Sequence, residues 1–142
     1  MLEKLAQAVA LVSREQVRGA AWSAETLARA IVDDARSGNA SCENIEEVER
    51  LIISANPTMG SLSNLAWTVR EACLHGIPVQ AAAEAFIEYI RASRAEVVSH
   101  ARDLVKDRPI TVVTLSYSSN VLETLASLGP LLRKVYVLES LP

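Results

Sequence analysis

Three short polar segments are where this sequence of 142 residues could do chemistry. The first follows the run I-T-V-V-T-L at Ile110 to Leu115, where Ser116, Ser118 and Ser119 bring hydroxyl donors to a turn ahead of a helical pattern. At the carboxyl end of a strand, such a loop offers free backbone amides of a helix N-terminus to an anion, a phosphate above all. No glycine-rich fingerprint accompanies it, so a plain capping turn competes with phosphate binding. The second segment is Arg18-Gly19-Ala20. An arginine beside a glycine can hold a phosphate while the backbone approaches closely, against the plainer reading of a surface arginine and a helix-packing glycine. The third is Asn56-Pro57-Thr58, a polar turn that could line a pocket or cap the next helix through Thr58 or Ser61.

The remaining reactive residue types carry less. His75 and His100 have no acidic or cysteine neighbour at metal-ligand spacing and read as solvent-facing helix residues, not as general bases. Cys42 and Cys73 fall on different elements with no paired spacing, so neither a disulfide nor a zinc site is expected, and a reducing cytosol fits.

The elements that must position these segments are mostly helices. Leu2, Leu5, Val9 and Val12 recur at helical spacing and predict a first helix. A second is expected from about Val17 to Ser37, with Ala20, Ala24, Leu27 and Ile31 inward and Gly38 as a left-handed stop. Ser41 and the acidic Glu43, Glu46 and Glu47 announce a third, whose stripe is Ile45, Val48, Leu51, Ile52 and Ala55. Leu62, Leu65, Ala66, Val69 and Cys73 mark a fourth, stopped by His75-Gly76. Pro78 opens a long fifth helix to about Val105, with Ala82, Phe86, Ile90, Ser93, Val97, Ala101 and Leu104 expected on its buried stripe. Beyond Pro109 the period changes. The I-T-V-V-T-L run predicts a strand buried on both faces, residues 121–128 a short helix broken by Gly129-Pro130, and K-V-Y-V-L a second strand. Strand, helix, strand with a short crossover predicts a parallel right-handed unit. The fold expected is mainly α, a bundle of about five helices over residues 1–107 followed by one βαβ unit over 108–142.

Composition excludes several functions. A net charge of −3, with 14 basic residues scattered among 17 acidic ones, forms no basic stripe, and aromatics make up only 4%, too few for base stacking. Direct nucleic-acid binding is not expected. The longest apolar stretch, at 6–12, is far short of the roughly 20 residues a membrane span needs, and residues 1–17 are amphipathic, unlike a signal peptide. Two parallel strands cannot by themselves make a covered sheet, so either more chain or a partner must complete it.

Four segments, taken in order, resemble a known family. V-R-G-A at 17–20 is similar to an I-R-G-A motif, and N-P-T-M-G-S-L-S-N-L at 56–65 to R-P-T-x-x-x-L-x-N. T-L-S-Y-S-S at 114–119 is similar to T-H-C-x-S or T-H-x-Y-S-S, and V-L-E-S-L-P at 137–142 to V-x-E-S-R-P. These are motifs of the translation initiation factor 2B alpha, beta and delta subunits and their relatives, the ribose-1,5-bisphosphate and methylthioribose-1-phosphate isomerases. The resemblance spans the chain but only the front half of the family. It implies that the βαβ unit opens a Rossmann-like domain. It also implies that Arg18, Gly19, Ala20, Asn56, Thr58, Ser116, Ser118, Ser119 and Glu139 are the candidate ligand or phosphate contacts.

The departures point away from catalysis. Leu115 and Ser116 stand where the isomerase branches have His and Cys, and a serine hydroxyl is a far weaker acid and nucleophile than a thiol. The aspartate with which that cysteine is proposed to act lies on a later strand. Asn56 and Leu141 stand in place of arginines, which removes charge that could hold phosphate. These departures lead to the expectation of a non-catalytic protein without cofactor, in the cytoplasm that the cysteine usage suggests. Its expected partner is a like copy, a homologous subunit or a translation factor, and its pocket for a nucleotide or sugar phosphate is at most vestigial. The alternative is one half of a split sugar-phosphate isomerase.

Overall fold

The computed structural model describes residues 1–116 and 118–139. Among these residues six α-helices and two strands follow in the order α1 (Glu3–Arg14), α2 (Ala20–Arg36), a 3-10 turn (Cys42–Asn44), α3 (Ile45–Ala55), α4 (Gly60–Leu74), α5 (Val79–Val105), β1 (Ile110–Leu115), α6 (Ser119–Leu128), a second 3-10 turn (Gly129–Leu131) and β2 (Leu132–Leu138). The fold is mainly α, a helical region followed by a partial α/β unit. The chain divides into two compact units, one of residues 1–15 and 20–90, the other of residues 16–19 and 91–142, so that α5 contributes to both.

The first unit holds the core. Leu5 and Val12 of α1, Leu27 and Ile31 of α2, Val48 and Ile52 of α3, Leu62, Leu65 and Val69 of α4 and Phe86 and Ile87 of α5 form one buried cluster. Each fully buried Leu or Ile contributes about 1.5–3 kcal/mol relative to an exposed one. Alanines at 24, 28, 66 and 83 are equally buried, and their small side chains let the helix axes approach. α2 starts three residues later than its periodicity predicts, which leaves Val17, Arg18 and Gly19 ahead of the helix. Its stop is as read: Gly38 has φ +74°, and Asn39 N donates back to Asp34 O at 2.8 Å. α4 ends the same way, with Gly76 at φ +74° and Ile77 N donating to Ala72 O at 2.8 Å.

Ser41 opens α3 through the 3-10 turn. Its hydroxyl accepts from Glu43 N at 3.3 Å while the Asn44 side chain accepts from Ser41 N at 2.8 Å, closing a capping box. The cysteines correct the sequence reading, because Cys42 and Cys73 form a disulfide with their Cα atoms 5.4 Å apart. Sequence separation of 31 residues hid the pair. Folding α3 back against α4 brings the 3-10 turn beside the end of α4.

In the second unit β1 and β2 pair in parallel, Val112 opposite Val135 and Leu115 opposite Leu138, with one register irregularity between Ile110 and Thr111. The second correction lies here. β1 is not covered on both faces: Ile110, Val112 and Thr114 are half-buried while Thr111, Val113 and Leu115 are exposed. The α5 stripe likewise stops short, with Phe86 buried but Val97 and Leu104 exposed. Both errors share a cause, since periodicity shows which residues want cover and not whether cover is present. An Arg94–Glu123 ion pair at 3.2 Å joins α5 to α6.

Candidate functional site

The candidate residues fall in two groups, one in each unit. In the second unit β1 delivers the loop of Ser116 and Ser118 to the start of α6, whose first residue is Ser119. Ser116 takes φ +59°, a left-handed conformation that a non-glycine residue adopts at some cost, and its side chain is exposed. Ser118 is the N-cap of α6 but makes no side-chain cap hydrogen bond. The capping-turn reading is therefore not realised through the Ser118 hydroxyl. Leu122 N donates to Ser118 O at 3.0 Å as the helix starts. Tyr117 in the middle of this loop lies outside the described residues.

Arg18 and Gly19 belong to the same unit as this loop, Arg18 exposed and Gly19 half-buried. Glu139, exposed just past β2, follows the neighbouring strand at its carboxyl end. This unit thus carries Arg18, Gly19, Ser116, Ser118, Ser119 and Glu139, the last four at the carboxyl ends of two parallel strands, where open α/β sheets place their ligands. Leu141, which stands where the motif has arginine, lies outside the described residues.

In the first unit Asn56 Oδ1 accepts from Thr58 N at 3.2 Å and from Thr58 Oγ1 at 2.9 Å, a local turn in which the two side chains satisfy one another. The N-cap of α4 is Met59, with no side-chain cap. Ser61 instead donates to Ala20 O at 2.9 Å, which ties the start of α4 to the start of α2. The structure so joins two candidate segments that are far apart in sequence, Ala20 and the 56–61 turn. No sequence signal marked that bond beyond the presence of a serine in the first turn of a helix.

Asp34 was missed as well. It is 1% exposed, and its carboxylate accepts from Lys4 N at 3.2 Å and Leu5 N at 2.8 Å, capping α1 from the end of α2. A signal was available: an acid in the last turn of a helix meets the negative end of the dipole and needs a partner elsewhere. His75 closes α4 with Nδ1 2.8 Å from Glu71 O, and His100 is exposed on α5. Among the described residues no cluster of three His, Cys, Asp or Glu side chains could hold a metal, and no helix is long and apolar enough to cross a membrane.

This arrangement can be set beside known proteins. Residues 16–142 match the profile of the Initiation factor 2 subunit family. An eIF-2B subunit 2-like protein of Pyrococcus furiosus is 32% identical over 125 residues, covering 87% of this chain and 45% of that protein. Its counterpart in Pyrococcus horikoshii is 29% identical over 123 residues, covering 85% and 44%. The crystal structure of the Pyrococcus horikoshii OT3 translation initiation factor eIF-2B superposes with a TM-score of 0.80 at 26% identity, over 99% of this chain and 52% of that one. The chain spans about half the length of the relatives it matches. With a matching profile, four motifs in order and a shared backbone, the chain belongs to the Initiation factor 2 subunit family.

Proposed function

We propose that this chain is a non-catalytic member of its family that acts by associating with a homologous subunit or a translation factor. The observation that carries this reading is Ser116. It stands at the strand end where the resemblance puts the cysteine of the isomerase branches, and its hydroxyl is a far weaker acid and nucleophile than that thiol. Asn56 accepts from the Thr58 amide and hydroxyl and, as an uncharged side chain, brings no positive charge to its turn. The strand ends keep hydroxyls and the same unit carries Arg18, so a weak nucleotide or sugar-phosphate site is the most that this reading allows.

Two measurements test it. Affinity purification of the tagged chain from its own cells should recover a homologous subunit or an initiation factor in stoichiometric amount. Incubation of the complex with ribose 1,5-bisphosphate or methylthioribose 1-phosphate should give no ketose. Recovery of neither class of partner would count against the reading, and turnover would overturn it.

The second reading is a half of a split sugar-phosphate isomerase. Among the described residues the sheet has two strands and leaves Val113 and Leu115 exposed, which favours it, since a later strand brought beside them could carry the acid. It expects turnover only when a second α/β polypeptide is present.

A further inference from the structure

The Cys42–Cys73 bridge sits where the helical unit is held least by apolar packing. α3 and α4 form a hairpin, joined at one end by the 56–59 turn and at the other by the disulfide, with Glu49 and Arg70 paired at 2.9 Å between them. The buried side chains of α3 begin at Val48, and those of α4 stop at Val69. Residues 42–47 and 70–78 lie beyond these limits and none of them is fully buried, Leu74 being 70% and Ile77 46% exposed.

What closes this end is the bond itself together with two chain reversals, each made by a glycine at φ +74°, Gly38 after α2 and Gly76 after α4. Cys42 Sγ lies 3.5 Å from Ile77 O, so the bridge fastens the α2–α3 connection to the α4–α5 connection. α5 starts two residues later, at Val79, and it is the helix that contributes to both compact units. Both cysteines are only half-buried, beside exposed Glu43 and Leu74, so a thiolate from solvent can reach their sulfurs. A disulfide that can be reached exchanges with the thiols around it, whereas one sealed in a core does not.

We propose that the Cys42–Cys73 bond is a reversible redox clasp on the helical unit. Closed, it orders residues 42–47 and 70–77. Opened, it releases them while the cluster inward of Val48 and Val69 keeps the helices packed. The reductant is a dithiol. One of its thiolates attacks a sulfur of the bridge, the S–S bond breaks and a mixed disulfide forms, which the second thiol then resolves. Two electrons and two protons pass to Cys42 and Cys73, which end as thiols, and the dithiol ends as its own disulfide. The chemistry is local, and the element it biases is the hairpin end from which α5 departs. A plain staple differs from such a clasp, since it acts on the unfolded chain and leaves the native hairpin end as it was.

The test is hydrogen exchange on the chain oxidised, reduced by dithiothreitol without denaturant, and returned to oxidised glutathione. Alkylation and mass spectrometry should count no thiol before reduction, two after it and none after re-oxidation, with helix content by circular dichroism retained throughout. On reduction the amides of 42–47 and 70–77 should exchange at least about tenfold faster, and reversibly, by a route that low urea does not accelerate, the mark of local opening. The double variant Cys42→Ser, Cys73→Ser should fold, exchange as the reduced chain does and ignore both reagents. A bond that opens only in denaturant, or that does not close again, would overturn the proposal. So would loss of helix on reduction or in the double variant, or faster exchange at these residues only by the urea-dependent global route.

Discussion

The Asp34 carboxylate holds the amide of Leu5 at 2.8 Å, so the end of α2 caps the start of α1 across 29 residues of sequence. Leu2 at the N-cap position offers no side-chain oxygen, and the cap must come from another helix. Asp34→Ala should leave the first-turn amides of α1 unsatisfied in a buried place and cost about 1–3 kcal/mol. Asp34→Asn, which keeps one acceptor, should cost less. Urea denaturation of the two variants checks the order, and an unchanged midpoint for Asp34→Ala would contradict it.

The Cys42–Cys73 bridge closes a loop over a separation of 31 residues. On the chain-entropy account, reduction should lower stability by about 3–4 kcal/mol. Thiol titration of the denatured, unreduced protein should find no free thiol, and denaturation with and without dithiothreitol should separate clearly. Two titratable thiols before reduction would show that the bridge is absent in solution.

The two units should respond differently to truncation. Leu27→Ala, in the cluster of the helical unit, should cost about 2–5 kcal/mol by opening a cavity. Val113→Ala, on the exposed sheet face, should stay within about 0.5 kcal/mol in the chain alone. A large loss at Val113 would mean that something in the chain already covers that face.

These contrasts also show what could be read from sequence. The helical stripes were legible because one buried face is enough to fix a 3.6-residue period, and Gly38 and Gly76 were legible as stops because their left-handed φ suits glycine. The sheet was legible as strand, helix, strand. That two strands alone leave the sheet open was legible too, but which side chains stay bare was not, since I-T-V-V-T-L is written for two covered faces and Thr111, Val113 and Leu115 are exposed. The disulfide, the Asp34 cap and the Ser61 to Ala20 bond share another cause, for each joins residues between 29 and 41 positions apart and depends on which helices come to lie together. Of the candidate residues, Ser116 follows β1 directly, as the strand boundary read from sequence has it, and Asn56 and Thr58 satisfy each other.

Gly76 isolates the cost of backbone conformation. A Cβ there would meet nothing within 4 Å, yet φ is +74°. Gly76→Ala should therefore destabilise by about 1–2 kcal/mol through conformation alone. Gly76→Asn should recover part of that, as asparagine tolerates the left-handed region. Thermal melts of the pair check it, and equal melting temperatures for Gly76 and Ala variants would refute the assignment of strain.

The central claim is that this member of the Initiation factor 2 subunit family works by association and not by turnover. Purification of the tagged chain from its own cells under native conditions, followed by mass spectrometry and a ribose 1,5-bisphosphate assay on the same eluate, tests it most directly. The account predicts a homologous subunit or initiation factor at stoichiometric level and no ribulose product. A partner-free chain, or an eluate that isomerises the sugar phosphate, would contradict it.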